Sequence, residues 1–545
     1  MKTRYILSGV LMTLATVGCT DLDVDIKSVY TKYPTDSEIA IEAKISDAYY
    51  AFRGALGRRY DEGISCNSDE YTAICFGGDY LNGRDMANFS LHSVDPNACK
   101  SQLNVYNDIQ SGITKCNQVL IDLGDDDATI SASVRAARAF YTFLLMDNWG
   151  DTPIIDYRLL NESGVIDRSP RAEVARWIES ELLEVRDYCP TEVSENTYGK
   201  PTRWMVDALL AKLYINWNVY TQDVTSDSWS STAANKKIND CVAMCDDVIA
   251  SDLFNLSDDY KAKFLYNNGA HIKDFIYAMP FDAVSDDDNH ALYYARFRTW
   301  RQGQKNNGFY SIPLSSSVGG NMALTPEFVE LFCLPGDRRN DVIAGDATAE
   351  TFDVYQYNVF TGEKTNVRNL YNNETPVTFT KRITLAIQDG DLDTGKNLNG
   401  WTQGYKSIKF FPYVEEVNAH SRHQSNDVPI FRYADILLMK CEAIVRGATA
   451  TRGDTPQSLF NQIRSYVNAP TISAAPSLQD ILDERGREFL DEHWRRNDLI
   501  RFGDFERDWG FKSLNPNAKA LTNRLLPLST ETLKVNTNWK QNKGY

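Results

Sequence analysis

Hydrophobic residues recur every three or four positions over much of the chain, which is the spacing of a helix that is buried on one face. Two stripes are especially regular: Val206, Leu209, Leu210, Leu213, Trp217 and Tyr220, and Ala434, Leu437, Leu438, Cys441, Ile444 and Val445. A strand would alternate apolar and polar residues instead. The pattern therefore predicts a mainly α protein.

Further amphipathic stretches predict the remaining helices. They cover residues 37–55, 102–123, 131–149, 171–187, 236–251, 455–468 and 478–500. Most of the N-terminal ones follow in pairs joined by short polar links, and the runs DALLAKLYINW and ADILLMKCEAI contain small residues suited to close helix packing. Paired helices of this kind predict tetratricopeptide-like helix-turn-helix repeats over about 37–251 and 431–505.

Residues 252–430 differ from the helical regions in composition and in hydrophobic pattern. Gly, Asn, Asp and aromatic residues crowd together there, and the apolar runs are short and strand-like, as in FIYAMPF at 275–281. Because 43% of the chain is hydrophobic, we expect an ordered, loop-rich insertion with a few short strands. Binding sites commonly lie on loops that a rigid scaffold holds in place.

The N-terminus has the features of a lipoprotein signal. Lys2 and Arg4 precede an apolar run over 5–17 that is too short to span a bilayer, and Gly18 stands before Cys19. We therefore expect residues 1–18 to be cleaved off, Cys19 to be acylated, and residues 19–545 to form the mature domain held at a membrane by lipid.

The charge of the chain argues against one class of partner. The formal net charge is −17, and it becomes −19 when Lys2 and Arg4 leave with the signal. A chain this acidic repels phosphate polymers, so no nucleic-acid partner is expected.

Cysteine spacing favours packing over a structural metal site. Cys241 and Cys245 fall on the apolar stripe of CVAMCDDVI, and the sequence contains no C-x-x-C pair and no His-rich tract. Cys66 and Cys75 flank a polar loop, and the sequence leaves open whether they form a disulfide.

One acidic turn is a candidate calcium site. Asp389, Asp391 and Asp393 alternate as the first ligands of a calcium loop would. An EF-hand, however, needs Gly at loop position 6 and Glu at position 12, where this chain has Thr394 and Gly400. We therefore expect a solvated acidic turn and no cofactor, with calcium at these three residues as the alternative.

Several runs resemble the SusD/RagB family, and they keep the family's order along the chain. They are RAARAFYTFLLMDNWGDTPI (135–154), PRAEVARWIESELLE (170–184), GKPTRWMVDALLAKLYIN (199–216), FRYADILLMKCEAI (431–444), LFNQIRSYV (459–467), ILDERGREFLDEHWRRNDLIRFGDF (481–505) and the C-terminal LLPLSTETL and NTNWKQNKGY. The resemblance implies tetratricopeptide-like helical pairs with a loop-rich part. It also implies a non-enzymatic lipoprotein at the outer surface of the outer membrane that captures oligosaccharides for a SusC-type TonB-dependent transporter.

The run at 481–505 is dense in charge and allows two interpretations. On a continuous helix Glu484, Glu488 and Glu492 would share a face, and Asp491–Arg495 and Glu492–Arg496 would form i, i+4 pairs. A catalytic pair of carboxylates would need one raised pKa, whereas neighbouring arginines lower carboxylate pKa values. We therefore expect a structural helix.

Two loop segments have the chemistry of a glycan site, because pyranose faces stack on aromatic rings and sugar hydroxyls bind amides and charged groups. The segment 68–85 contains Tyr71, Phe76, Tyr80, Asn82 and Arg84, and the segment 290–304 contains Tyr293, Tyr294, Phe297, Trp300 and Arg301. The predicted glycan contacts are Trp300, Tyr71, Tyr80, Asn82, Tyr293 and Arg301. Tyr294 and Phe297 also fit a buried stripe, and Trp401 is the next candidate.

The sequence is compatible with three classes of function to different degrees. An aromatic platform favours oligosaccharide capture. The resemblance also leaves peptide uptake open, because some members of that family take up peptides, and the acidic charge of this chain would favour basic ones. A glycoside hydrolase is disfavoured because no pair of carboxylates stands out among the loop aromatics.

Overall fold

The computed structural model describes residues 38–77, 84–124, 127–155, 157, 166–284, 292–294, 320–358, 360–371, 374–387, 391–420 and 423–545. The chain divides after Lys44 into two units. Of the first unit, residues 38–44 are described, as the first turns of helix α1 (Glu38–Tyr49). Residues 45–545 form the second, compact unit, which contains all other described elements.

Helices dominate the described chain up to residue 250. After α1 they are α2 (Arg53–Ala55), α3 (Asp61–Cys66), α4 (Arg84–Ser90), α5 (Lys100–Leu103), α6 (Val105–Leu123), α7 (Ala128–Trp149), α8 (Arg171–Val185), α9 (Arg203–Ile215), α10 (Trp217–Thr221) and α11 (Ile238–Ala250), with a π-helix at Leu56–Tyr60. Helix α6 packs on α7, α7 on α8, and α9 on α11. Gly112 of α6 permits close approach to α7, since a Cβ there would lie 3.0 Å from the Tyr141 ring.

Between α11 and residue 432 the described chain consists mainly of loops, short helices and strands of two-stranded sheets, and one further strand, β1, comes from the N-terminal part. The strands are β1 (Tyr71–Ala73), β2 (Phe275–Met279), β3 (Met322–Leu324), β4 (Thr351–Asp353), β5 (Tyr355–Tyr357), β6 (Lys364–Arg368), β7 (Leu370–Tyr371), β8 (Thr375–Pro376), β9 (Thr378–Thr380) and β10 (Val428–Arg432). They pair antiparallel as β1–β3, β2–β10, β4–β9, β5–β6 and β7–β8. The short helices here are α12 (Pro326–Val329), α13 (Leu398–Trp401) and α14 (Val414–Ala419).

Helices return in the last part of the chain. They are α15 (Tyr433–Val445), α16 (Pro456–Tyr466), α17 (Leu478–Phe489), α18 (Arg495–Phe502) and α19 (Thr530–Val535), with 3₁₀ turns elsewhere at Arg186–Tyr188, Ala262–Phe264, Arg338–Val342, Lys512–Leu514 and Leu521–Arg524. Capping boxes start α16 and α17, where Thr455 pairs with Ser458 and Ser477 with Asp480. The predicted mainly α, tetratricopeptide-like fold with a few short strands is confirmed.

The predicted apolar stripe of α15 lies in the interior. Leu438 is fully buried in a cluster that joins α15 to α16 and α17. Its other buried members are Ala434, Leu437, Cys441, Leu459, Phe460, Ile463, Ile481 and Phe489. The prediction that Cys241 and Cys245 are core residues is also confirmed, since both are buried on α11, and Cys66 and Cys75 are buried as well.

The predicted continuous helix over 478–500 is in fact two helices. Helix α17 ends at Phe489, and Asp491 and His493 adopt left-handed backbone conformations with φ of 66° and 67°. This break turns the following residues away from the α17 face. Arg495 therefore donates to Asp69 at 2.7 and 2.8 Å, and the predicted Asp491–Arg495 pair is wrong.

The predicted Glu492–Arg496 pair is wrong for the same reason. The Arg496 Nε donates to Asn67 at 2.8 Å. Glu492 instead accepts from Lys409 at 2.6 Å and from Arg432 at 2.7 Å. The charged run at 481–505 thus forms long-range contacts instead of i, i+4 pairs.

Several of those contacts belong to two separate groups of buried ion pairs, one around Arg432 and one around Arg485, whose side chains we together call the buried ion network. They are Lys212, Lys263, Asp274, Arg339, Lys409, Arg432, Asp435, Glu442, Glu484, Arg485, Glu488, Glu492, Asp498 and Arg501. Within the network Arg432 donates to Asp274 at 2.6 Å, to Glu488 at 2.8 Å and to Glu492 at 2.7 Å. One side chain thus ties β10 to the segment before β2 and to the end of α17.

The carboxylate of Glu484 illustrates the electrostatics of this network. Burial alone would raise its pKa, but Arg339, Arg487 and Arg464, at 2.7, 2.7 and 2.6 Å, hold that pKa at about 2. Glu484 is therefore ionised at neutral pH, as the structural interpretation of this run predicts.

Among the helices that the structure describes, none is long and apolar enough to cross a bilayer.

Candidate functional site

Tyr71 is a core residue. It lies in β1 with no exposed surface, and its hydroxyl donates to Asp491 at 2.7 Å. Asp491 also accepts from Ser407 at 2.5 Å, so the phenol completes a buried hydrogen-bond group. The prediction that Tyr71 stacks on a glycan is therefore corrected, since burial removes the ring face that a sugar would need.

Tyr293 lies at the surface and is half-buried. Its backbone N–H donates to Gly57 at 3.0 Å, which fixes the segment 292–294 to the π-helix. Its hydroxyl lies 3.2 Å from His423 Nε2, and the Arg58 guanidinium lies 5.4 Å from its ring centroid. The ring is thus held in one orientation by groups from two distant segments.

The two arginines of the π-helix are positioned by one buried carboxylate. Arg58 and Arg59 approach Glu62 at 3.3 and 2.7 Å, and Gln102 donates to the same side chain at 2.9 Å. Glu62 is buried, whereas the arginine side chains are 30% and 36% exposed. Arg58 lies beside Tyr293, and guanidinium N–H groups are donors that suit hydroxyl or carbonyl oxygens.

We call Tyr293, Arg58 and Arg59 the Tyr293 surface; His423, which contacts the Tyr293 hydroxyl, is itself buried. Only Tyr293 was predicted from the sequence. Arg58, Arg59 and His423 were missed because no motif marks them, and they lie far from Tyr293 along the chain. The neighbouring Tyr294 is buried, and its hydroxyl contacts His493 at 3.1 Å, which confirms its packing role.

Several predicted site residues lie outside the described residues. They are Cys19, Tyr80, Asn82, Phe297, Trp300, Arg301 and Asp389. Their roles stay predictions. Trp401, the next candidate, is half-buried, and its ring lies 5.7 Å from that of Tyr371.

The described part of the acidic turn is a well-formed loop. Asp393 Oδ1 accepts from the backbone N–H groups of Gly77 at 2.8 Å and Gly395 at 2.7 Å. This geometry is typical of an aspartate that stabilises a turn. Calcium at Asp391 and Asp393 stays an untested alternative.

Separate comparisons with known proteins agree on one family. A model of the SusD family matches residues 273–545, which is half of the chain. The starch-binding protein SusD of Bacteroides thetaiotaomicron is 24% identical over 433 residues, covering 76% of this chain and 72% of that protein.

Solved structures share the fold. A laminarin binding SusD-like protein superposes with a TM-score of 0.68 at 20% identity, covering 93% of this chain and all of that one. Surface glycan-binding protein A from Bacteroides thetaiotaomicron, solved in complex with laminarihexaose, gives a TM-score of 0.63 at 16% identity, covering 93% and 99% of the two chains. The resemblance found in the sequence is confirmed, and this chain belongs to the SusD family.

Proposed function

We propose that this chain is a non-catalytic, glycan-binding lipoprotein of the outer-membrane surface that delivers oligosaccharides to a SusC-type TonB-dependent transporter. The observation that carries the proposal is the fold, which the chain shares over 93% of its length with a laminarin binding protein and with a protein solved with laminarihexaose. The Tyr293 surface supports it, because a half-buried ring with partly exposed guanidinium groups suits a sugar face and its hydroxyls.

The electrostatics of the charged run support a non-catalytic role for the carboxylates of that run. A glycosidase needs a carboxylic acid that is still protonated near neutral pH. Glu484, in the most charge-dense run of the chain, has its pKa held at about 2 and is occupied by three arginines. Glu488 and Glu492 are likewise buried against arginine or lysine.

Loss of the predicted stacking residue should weaken glycan binding. Trp300→Ala is expected to reduce affinity by about 1–3 kcal/mol, the scale of a well-packed aromatic hot spot, and Tyr293→Ala by less, with non-additive effects in the double variant. A panel of neutral glycans first identifies the ligand, and isothermal titration with that glycan then measures the loss of affinity.

Tyr188→Ala is the matched control, because Tyr188 is 60% exposed and belongs to neither predicted segment. Full affinity in both the Trp300 and Tyr293 variants would place the site elsewhere. Binding of basic peptides with no binding of any glycan would replace the proposal by peptide uptake, and hydrolysis of an oligosaccharide pool would contradict the non-catalytic part.

The anchor has its own test. Cys19→Ala should abolish lipid attachment, because we propose that the Cys19 thiol is acylated and that these acyl chains anchor the protein to the membrane. Metabolic labelling with a fatty-acid analogue, followed by membrane fractionation, measures this. Label that persists in the Cys19 variant would contradict the lipoprotein assignment, and Cys333→Ala, at an exposed cysteine, controls for loss of a thiol elsewhere.

A further inference from the structure

A second aromatic surface lies in the loop-rich insertion. The rings of Tyr266 and Tyr413 stack with centroids 4.6 Å apart and an interplanar angle of 21°. The Phe360 ring lies 5.7 Å from that of Tyr413, and the Phe360 side chain is 55% exposed. We call these three residues the aromatic ladder. Tyr266 and Tyr413 are half-buried, so the ladder combines one exposed ring with two partly exposed ones, and aromatic residues grouped at a surface in this way are typical of a binding site.

The ladder is assembled from three chain segments that the fold presses together. Phe360 occupies the turn between β5 and β6, where its N–H donates to Asn358 Oδ1 at 2.8 Å. Gly362 in the same turn has φ of 62°, and a Cβ there would lie 3.0 Å from the Lys261 side chain. Lys261 leads into the segment that contains Tyr266, so the turn is held against it.

The hydroxyl of Tyr413 is also fixed. It donates to the Glu415 carboxylate, and this bond raises the pKa of Tyr413 to about 12. The phenol therefore stays protonated at physiological pH. The ladder consequently presents rings of fixed position and no charge of its own.

A cleft of about 750 Å³ lies at the β5–β6 hairpin that carries Phe360. Strands β5 and β6 supply Tyr355 and Lys364 to its wall, and the wall also includes Lys261, the side chain that the Phe360 turn approaches at Gly362. Its wall also includes Asn340 and Asp341. Rings thus stand beside amide, carboxylate and ammonium groups, the combination that binds a sugar face and its hydroxyls.

The charge of the cleft narrows the ligand class. Its charged side chains are Lys261, Lys364, Asp341, Asp346, Asp353 and Glu363. Even when Arg368, which donates to Asp353 at 2.6 Å, is included, carboxylates outnumber cations. A sulfated or uronic acid chain would therefore be repelled.

We propose that the aromatic ladder and this cleft form a second binding site for a neutral, pyranose-based glycan, built from residues other than those of the Tyr293 surface. The proposal rests on the proposed function, and it adds that a long chain contacts the protein twice. Two linked contacts strengthen binding of a polymer far more than binding of a short oligosaccharide that fills one site.

The test compares polymer with oligosaccharide. The mature chain is run in native gels that contain laminarin, soluble starch, xyloglucan or galactomannan, and is titrated with hexasaccharides of the polymer that retards it. Phe360→Ala and Phe360→Ala/Tyr413→Ala should weaken polymer binding by about tenfold and leave hexasaccharide affinity at the Tyr293 surface unchanged. In a Trp300→Ala background the double variant should abolish the remaining retardation.

Val367→Ala is the matched control, since Val367 lies on β6, is 54% exposed and carries no ring. Melting temperatures check folding, and Phe360→Ala alone removes only an exposed ring. If the Phe360→Ala and Phe360→Ala/Tyr413→Ala variants are retarded as strongly as the wild type, the second site is overturned and the proposed function is left intact. Stronger retardation by carrageenan than by the neutral polymers would overturn the neutral-glycan assignment, and lack of retardation of the wild type in every gel would overturn the proposed function itself.

Discussion

Arg432→Met should destabilise the protein by about 3–5 kcal/mol, the cost of removing one partner from a buried ion pair. Arg432 is 1% exposed and donates to three carboxylates, those of Asp274, Glu488 and Glu492. Methionine fills a similar volume and donates no hydrogen bond, so these buried negative charges would lose their shared cation.

The loss should be partial because other cations remain. Lys263 stays 2.5 Å from Asp274, and Lys409 stays 2.6 Å from Glu492. Denaturant unfolding followed by circular dichroism measures the change, read from the midpoint at constant m-value.

Lys519→Met is the control for that experiment. Lys519 pairs with Asp508 at 2.7 Å, and both side chains are more than half exposed. A pair of this kind contributes at most about 1 kcal/mol. Equal midpoints for the Arg432 and Lys519 variants would mean that the network adds no more stability than a surface pair, contrary to the prediction.

The helices were predictable from the sequence because their determinants are local. The stripe of α15 repeats within 13 residues, and its period matches the face that the structure buries. The break after α17 was not predictable, because the charged run continues through it without Pro or a run of Gly. It is stabilised by distant partners such as Asp69, which lies 426 positions from Arg495.

The same distinction between local patterns and distant contacts explains which residues of the candidate site could be predicted from the sequence. Alternating aromatic and polar residues marked 68–85 as a binding segment, but the pattern does not reveal that both faces of β1 are covered, and Tyr71 is buried. No pattern in the sequence predicted that the three rings of the aromatic ladder lie together. Its three rings come from residues 266, 360 and 413, and only the tertiary fold brings them within 6 Å of a neighbour.

Leu438→Asp is expected to cost about 4 kcal/mol or more, at the upper end of single substitutions. Leu438 has no exposed surface and packs in the cluster that joins α15, α16 and α17. Aspartate would leave a cavity there and bury a carboxylate among apolar side chains such as Leu459 and Phe460.

Two variants separate the charge from the change of side chain. Leu438→Met keeps the volume and apolar character and should cost less than about 1.5 kcal/mol. Leu514→Asp makes the same substitution at a leucine that is 41% exposed and should change stability by about 0.5 kcal/mol or less. Thermal and denaturant unfolding of the three proteins give the comparison. If the Leu438→Asp protein has the melting temperature of the wild type, this face of α15 is open to solvent or to a partner, because only an accessible position can carry an unpaired charge at no cost in stability.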